Sequence, residues 1–526
     1  MRCRQFAVFH TALLLILLVA SNPSSAFGFD DVVELARKRA ASAYQPGEPI
    51  PDFMRNIDYA RYQSIRFDSE RSLWRSSNSH FQVQMLPAGS FYRRRVRLHV
   101  IDSSGVHAVP FEKTLFQIAD VELEKEMPAD LGFAGFHLTF PDIAASDTEP
   151  FLTFAAGSYF QAIGRHQRMG TFGRGIAIDT GLASGEEFPD FVEFWLERPA
   201  VNAHTMRLYG LLDGSSLSGA YEFIVTPGDA TRIAVRARLF LRNQPQVVGV
   251  APLTGMFLYG ENTGKPAGQW RPRVHDANGL LLHDGASGEW LWRPLINPRY
   301  LLTSQLQVEK LRGFGLMQRN QRFEDFQDVD ARYERHPSVW VTPKGDWGKG
   351  HVSLMLLPAP NDTNRNVVAF FEAAEKGTPD KPLAYDYEIQ FGDLRIGKAP
   401  LARAVNTFVA DANRVNSNNE RGSYLVSINF AGEQMARLSK DTGVIGRVTA
   451  LDGGRVLRQY VEYVPPLKGW RLSMVVKPGD GRPLALRAYL LRHIAERADK
   501  PAREQTLSET WSYELPIDND ILQVAP

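Results

Sequence analysis

Five of the nine tryptophans, Trp270, Trp290, Trp292, Trp340 and Trp347, fall in one stretch of the chain. Histidines and carboxylates alternate with them: His275-Asp276, His283-Asp284, Glu289 and the acidic run Glu324-Asp325-Phe326-Gln327-Asp328-Val329-Asp330. Flat aromatic faces beside hydrogen-bonding side chains suit sugar rings, whose C–H faces stack while their hydroxyls take polar partners. Carboxylates in such a groove can serve as general acid or base. A plainer reading puts the tryptophans in a β-core and the acidic run in a solvated loop, and the sequence leaves both open. Two loops look built for a purpose. Ser184-Gly185-Glu186-Glu187-Phe188-Pro189 precedes Phe194-Trp195-Leu196-Glu197-Arg198-Pro199, and Arg271-Pro272-Arg273 leads into His275-Asp276-Ala277-Asn278-Gly279. In the second, Asp276 and Asn278 suit a turn with Gly279 at positive φ, or else a carboxylate at a loop tip rising from a sheet.

Other chemistry is missing. There is no H-E-x-x-H and no P-loop, and Gly173-Arg174-Gly175 lacks the third glycine and strand-to-helix setting of a dinucleotide site. Gly214-Ser215-Ser216-Leu217-Ser218 misses the G-x-S-x-G elbow. A triad assembled from distant residues stays open. The twelve histidines show no metal-ligand spacing, so neither metal nor cofactor is expected. Cys3 is the single cysteine, which argues against disulfides, cysteine-based zinc sites and a cysteine nucleophile. Lys plus Arg (60) balances Asp plus Glu (59), which argues against nucleic acid as a partner.

The elements that must position these residues are mostly strands. At 526 residues the chain is long enough for two or more domains. Val96, Leu98 and Val100 alternate with Arg97 and His99; Ile233, Val235 and Ala237 alternate with Ala234 and Arg236; Leu472, Met474 and Val476 alternate with Ser473 and Val475. Gly (42) and Pro (32) punctuate the runs, so a sandwich or barrel is expected rather than βαβ units. One amphipathic helix is expected near Asp31, with Glu34 three residues on as in a capping arrangement and Val32, Leu35, Ala36 and Arg39 on one face. The segment 400–412 is read as strand. A boundary at 392–400 (GDLRIGKAP) separates a large piece from one the size of an immunoglobulin-like sandwich.

Matched blocks along nearly the whole chain resemble the periplasmic glucan-biosynthesis proteins, the G and D branches of osmoregulated periplasmic glucan synthesis. They include LGFAGFHLTFP (131–141), AIDTGLASGEEFPDF (177–191), EFWLERP (193–199), GVAPLTGMFLYG (249–260), VHDANGL (274–280), GEWLWRPL (288–295), GFGLMQR (313–319), PSVWVTPKGDWGKG (337–350), KGWRL (468–472) and ETWSYELP (509–516). No adjacent arginine pair precedes the apolar N-terminal segment, which resembles the G branch. The resemblance implies an all-β protein: a large galactose-mutarotase-like β-sandwich over 27–392 and an immunoglobulin-like β-sandwich over 400–526. It implies a periplasmic protein of glucan biosynthesis that binds, or binds and processes, the β-1,2-linked glucose backbone, in functional partnership with a membrane glucosyltransferase. An alternative is an active inverting β-1,2-glucanase or transglycosylase.

By the same resemblance, Asp276 in H-D-x-N-G-L is the base-side aspartate, and Tyr333, in the pair Arg332-Tyr333, is a cleft tyrosine. Trp290, Trp347 and Arg365 are expected to join Arg332 and Tyr333 in substrate binding. The general acid belongs to a segment like E-T-N-D-N-[IV]-V-A, which here reads Asp362-Thr363-Asn364-Arg365-Asn366-Val367-Val368-Ala369. The aligned position is therefore Arg365, which cannot donate a proton at ordinary pH. Asp362, three residues earlier, retains a carboxyl that stands as a substitute acid.

Residues 1–26 read as a cleavable secretory signal. Arg2 and Arg4 precede the apolar segment 11–20, and Ser24 and Ala26 occupy the −3 and −1 positions. Cleavage there removes Cys3. N-terminal sequencing of the exported protein should begin at Phe27; recovery of Met1 from a membrane fraction would overturn the cleavage site.

Overall fold

Alternation along the chain becomes two-faced strands. In Thr231–Leu241, Ile233, Val235 and Ala237 are buried while Arg232 and Arg236 point outward. The computed structural model describes residues 27–47, 49–155, 157–417, 420–479, 483–494 and 503–516. The expected signal segment 1–26 and the end of the chain beyond 516 lie outside these residues. Among those described, no helix is long and apolar enough to cross a membrane.

The fold is an all-β sandwich. One ten-stranded sheet runs from Gln82–Pro87 through Phe133–Thr139, Leu152–Ala155, Tyr159–Ala162, Phe172–Arg174, Val248–Gly255, Val367–Ala373 and Gly350–Leu356 to Leu302–Val308, with Ile176–Ile178 paired beside it. A fifteen-stranded sheet contains Trp290–Pro294, Gly279–Asp284, Leu311–Met317, Ser338–Lys344, Leu383–Gly392 and Thr231–Leu241 in that order. The aromatic rings of Phe136, Phe154, Phe160, Phe191, Phe194 and Phe223 interlock in the core at centroid spacings of 5.0–6.4 Å.

The helix Phe29–Ala40 buries Phe29, Val32 and Ala36 against Trp195, Tyr209, Leu211 and Ala220. Its start is three residues earlier than the capping pattern suggested. Gly28 is the cap residue, and Asp31 accepts from the Gly28 N–H at 2.8 Å. Leu35 lies off the buried face, and Phe29 takes its place. Arg39 ends the helix in an ion pair with Asp213 at 2.9 Å.

The segment after 400 does form strand, Arg403–Asp411. It belongs to a four-stranded sheet with Tyr424–Ala431, Gly469–Lys477 and Arg455–Val464. The other strands of this region, Val444–Ala450, Leu484–Ile494 and Thr510–Leu515, are continuous with the fifteen-stranded sheet. The connection is parallel: Leu291 faces Thr510, and Trp292 faces Trp511. The glycine- and proline-bearing stretch 392–400 is thus a break in the chain's path but not in the sheet. Buried Arg319 and Glu509 pair across the two parts at 2.6 Å, with the Arg319 guanidinium 3.5 Å from the Trp292 ring centre.

Trp347, expected to contact substrate, lies in the core. Phe371, Tyr385 and Tyr387 enclose its ring at 5.3–5.9 Å, and its indole N–H donates to the Asp386 carbonyl at 3.2 Å. A large apolar ring packed among three others gains more from burial than from exposure. Trp347→Ala should therefore lower stability by about 3–5 kcal/mol, the usual cost of emptying a core aromatic site. Urea titration checks this; an unchanged midpoint would return Trp347 to the surface.

Candidate functional site

Asp276 follows the short strand Val274–His275, which pairs with Phe257–Tyr259. Its N–H donates to the Met256 carbonyl at 2.8 Å. Asn278 holds the rest of the turn: its side-chain oxygen accepts from the Arg319 N–H, and its amide donates to Asn320, both at 2.9 Å. Gly279 does not take positive φ. It is needed because a Cβ there would lie 2.0 Å from the Trp292 ring. The same close packing makes Asp276 a fully buried carboxylate, rather than the loop-tip group the turn residues suggested.

Two partners from distant segments meet that carboxylate. His336 Nδ1 lies 3.1 Å from Asp276 Oδ1, and Arg365 contacts Oδ2 through Nη1. Gly170 lets the His336 ring approach, since a Cβ there would stand 2.9 Å from it. The loop carrying Arg365 is tied down by buried Asn366, which accepts from the Phe257 N–H and donates to the Phe257 carbonyl, each at 2.9 Å. At its start, Asn361 accepts from Thr363 and Asn364, folding the loop back on itself.

Asp362 sits in a second cluster beside the first. Its Oδ2 accepts from Arg271 Nη1 at 2.7 Å and from the Tyr333 hydroxyl at 3.0 Å. Arg271 Nη1 also reaches Asp328 at 3.1 Å, and Arg273 holds Asp325 at 3.0 Å and Glu261 at 2.9 Å. The acidic run is therefore not simply solvated: Asp325 and Asp328 are buried and clamped by the two arginines of Arg271-Pro272-Arg273. Burial pushes the Asp362 carboxyl up, but the Arg271 and Tyr333 hydrogen bonds outweigh it and hold the group below its usual range. Burial, then the Asp362 charge, pushes the Tyr333 hydroxyl well above its usual range. Asp362 is thus ionised at neutral pH and poorly suited to donate a proton.

Arg365 forms the wall between Asp276 and a cavity of about 560 Å³. Its guanidinium lies over the Phe172 ring at 4.9 Å. Two residues along the same strand, Arg174 lies over Tyr159 at 5.0 Å and Phe188 at 5.3 Å, and it pairs with Glu186 at 2.7 Å. Glu186 and Phe188 come from the glycine-bearing loop singled out in the sequence. Arg174 Nε and Thr254 Oγ1 are buried at this cavity without a hydrogen-bond partner among the described residues. Burial lowers Arg365 to about 10, which leaves it charged at neutral pH. Aromatic faces beside accessible charged groups such as Arg365 and Glu186 can hold a sugar ring by stacking and hydroxyl contacts.

The structure brings together Asp276, Tyr333, Asp362 and Arg365. It does not bring the other expected residues to them. Arg332 turns away, with its Nε on Glu334 at 2.5 Å and its guanidinium over Phe323. Its left-handed backbone, φ 52°, aims the side chain there. Trp290 stacks between His283 at 4.1 Å and Trp340 at 5.8 Å, and Trp347 is core. Exposed Trp270, next to Arg271, was passed over among the five tryptophans. The aromatics of the cavity, Tyr159, Phe172 and Phe188, were also missed. Phe188 belongs to the loop 184–189 singled out in the sequence, whereas Tyr159 and Phe172 sit in ordinary strand sequence that gave no signal.

A sequence profile of the family described as periplasmic glucan biosynthesis protein, MdoG, matches residues 27–515.

Because Asp362 is held below its unfolded value, its contribution to stability is complete above that value and is lost as pH falls through the folded one. Tyr333→Phe removes one of the two side-chain donors and should raise the carboxyl back toward its ordinary range. Carbon-13 titration of the Asp362 carboxyl reads this directly, and the variant should lose less stability on acidification than the wild type. An unshifted titration would mean that Arg271 alone sets the group.

Proposed function

The chain belongs to the family of periplasmic glucan biosynthesis proteins, MdoG, and from that premise we propose that it binds the β-1,2-linked glucose backbone in the cavity walled by Arg365. Its role is in periplasmic glucan biosynthesis, and the absence of paired arginines before residue 11 favours the G branch. The reading extends to a nascent glucan delivered by a membrane glucosyltransferase, which this protein engages without cleaving.

The observation that carries the proposal is the Arg365–Asp276 contact. Inverting hydrolysis needs one protonated carboxyl beside the leaving oxygen and one free carboxylate facing water. At the aligned acid position stands a cation, and it engages the base-side aspartate. The nearest substitute, Asp362, is kept ionised by Arg271 and Tyr333. The cavity offers what binding draws on: the ring faces of Tyr159, Phe172 and Phe188 beside the accessible polar groups of Arg365 and Glu186.

Calorimetry with linear β-1,2-glucan should detect binding, and Phe172→Ala should weaken it. Base–aromatic stacking is worth about 1–3 kcal/mol per ring, and sugar stacking is taken on that scale. The same preparation should release products slowly or not at all, because general acid–base assistance supplies typically 10²–10⁴-fold. Brisk turnover that Asp362→Asn abolishes would make the chain a working hydrolase with a shifted acid. Absence of binding to β-1,2-glucan would refute the substrate.

A further inference from the structure

Both ring nitrogens of His336 face oxygen atoms. Nδ1 lies 3.1 Å from Asp276 Oδ1, and Nε2 lies 3.2 Å from the Ala331 carbonyl oxygen. A carbonyl accepts and never donates, so Nε2 carries a hydrogen. A neutral imidazole has a single N–H, which would leave Nδ1 as a bare lone pair against a carboxylate oxygen. Two acceptors at that distance in a buried site repel each other, and the arrangement is satisfied only by one more proton. That proton is either on the ring, making it an imidazolium beside a carboxylate, or on Asp276, making it a carboxylic acid that donates to Nδ1. We infer that Asp276 and His336 share one proton, and that the pair acts as the positioning unit for Arg365 rather than as a free base.

The surroundings set opposing pulls on where the proton rests. Arg365, at Oδ2, favours an ionised Asp276. Burial first of all lowers His336 to about 4, with Glu334 and Asp328 opposing this and Arg168 adding to it. That pull moves the proton toward the carboxyl. His275, next to Asp276, is lowered to about 3 by burial and then by Arg273 and His336, so it stays neutral and holds no competing charge. Tyr333 stacks edge-on against His336 at 5.2 Å and stays protonated. The proton count of the pair is the same wherever the proton rests.

The placement gives the pair a purpose. Arg365 stands on the wall of the first cavity, and His336 on the wall of a second, of about 510 Å³, together with Arg168 and Arg335. Asp276 lies between them, buried from solvent. One of its oxygens is occupied by an arginine and the other by a shared proton, so it is in no position to take a proton from water. It can instead hold the Arg365 guanidinium flat over Phe172.

Nitrogen-15 spectra of histidine-labelled protein test this at neutral pH, with the His336 signal identified by its loss in His336→Gln. The expected result is either protonation of both ring nitrogens, or a proton on Nε2 alone together with an Asp276 carboxyl carbon in its acid form. A ring protonated on Nδ1 alone, beside an ionised Asp276, would overturn the inference. Neutron diffraction locates the same proton without any variant, should His336→Gln fail to fold. Asp276→Asn presents an N–H to Nδ1 and a carbonyl to Arg365 at once, so it should keep the Nε2–H tautomer. A switch to Nδ1–H in that variant would also count against a shared proton. None of these readouts involves glucan, so they stand or fall separately from the function proposed above.

Discussion

A carboxylate with no access to water persists only if its charge is matched. Asp276 is that group here, and its match comes from residues 60 and 89 positions further along the chain. Each partner arrives on backbone held for the purpose. The Asp276 turn is bonded to Met256 and Arg319, the His336 ring fits because Gly170 has no side chain, and the Arg365 loop is bonded through Asn366. Removing one partner of a buried pair leaves an uncompensated charge, typically costing about 3–5 kcal/mol. The conformation of three loops is therefore set by one carboxyl.

The same arrangement limits the chemistry. Asp276 and Asp362 are close in the fold because Tyr333 and His336 lie within one short stretch and reach one carboxyl each. Yet both are spoken for by arginines, Arg365 and Arg271. A site built this way has abundant fixed charge and little free acid or base.

The support extends beyond the large sandwich. Arg319, whose N–H holds the Asp276 turn through Asn278, sends its guanidinium to Glu509 and over Trp292. Glu509 also accepts from the Ala404 N–H at 2.8 Å. The strand Thr510–Leu515 then pairs in parallel with Trp290–Pro294. The region after residue 400 is thus continuous with the turn that carries Asp276, and the strand bearing Trp290 and Trp292 forms the joint between them.

Strand alternation was legible in the sequence because burial on one face imposes a period of two wherever a sheet covers a core. Ile233, Val235 and Ala237, or Leu472, Met474 and Val476, declare their faces without any knowledge of what they pack against. The matched blocks also marked Asp276, Tyr333 and the replacement at Arg365. The fate of the tryptophans was not legible. Trp270 and Trp347 both lie in loops, where no periodicity tells whether the ring meets solvent, as Trp270 does, or Phe371 and two tyrosines, as Trp347 does. Nor could spacing tell that Gly279 makes room for Trp292, that Arg271 reaches across 91 residues to Asp362, or that Arg365 closes over Asp276. Local sequence carries the period and the turn chemistry of one segment. Pairing a buried charge depends on which distant segments the sheets bring within a hydrogen bond of it, and only the tertiary structure decides that.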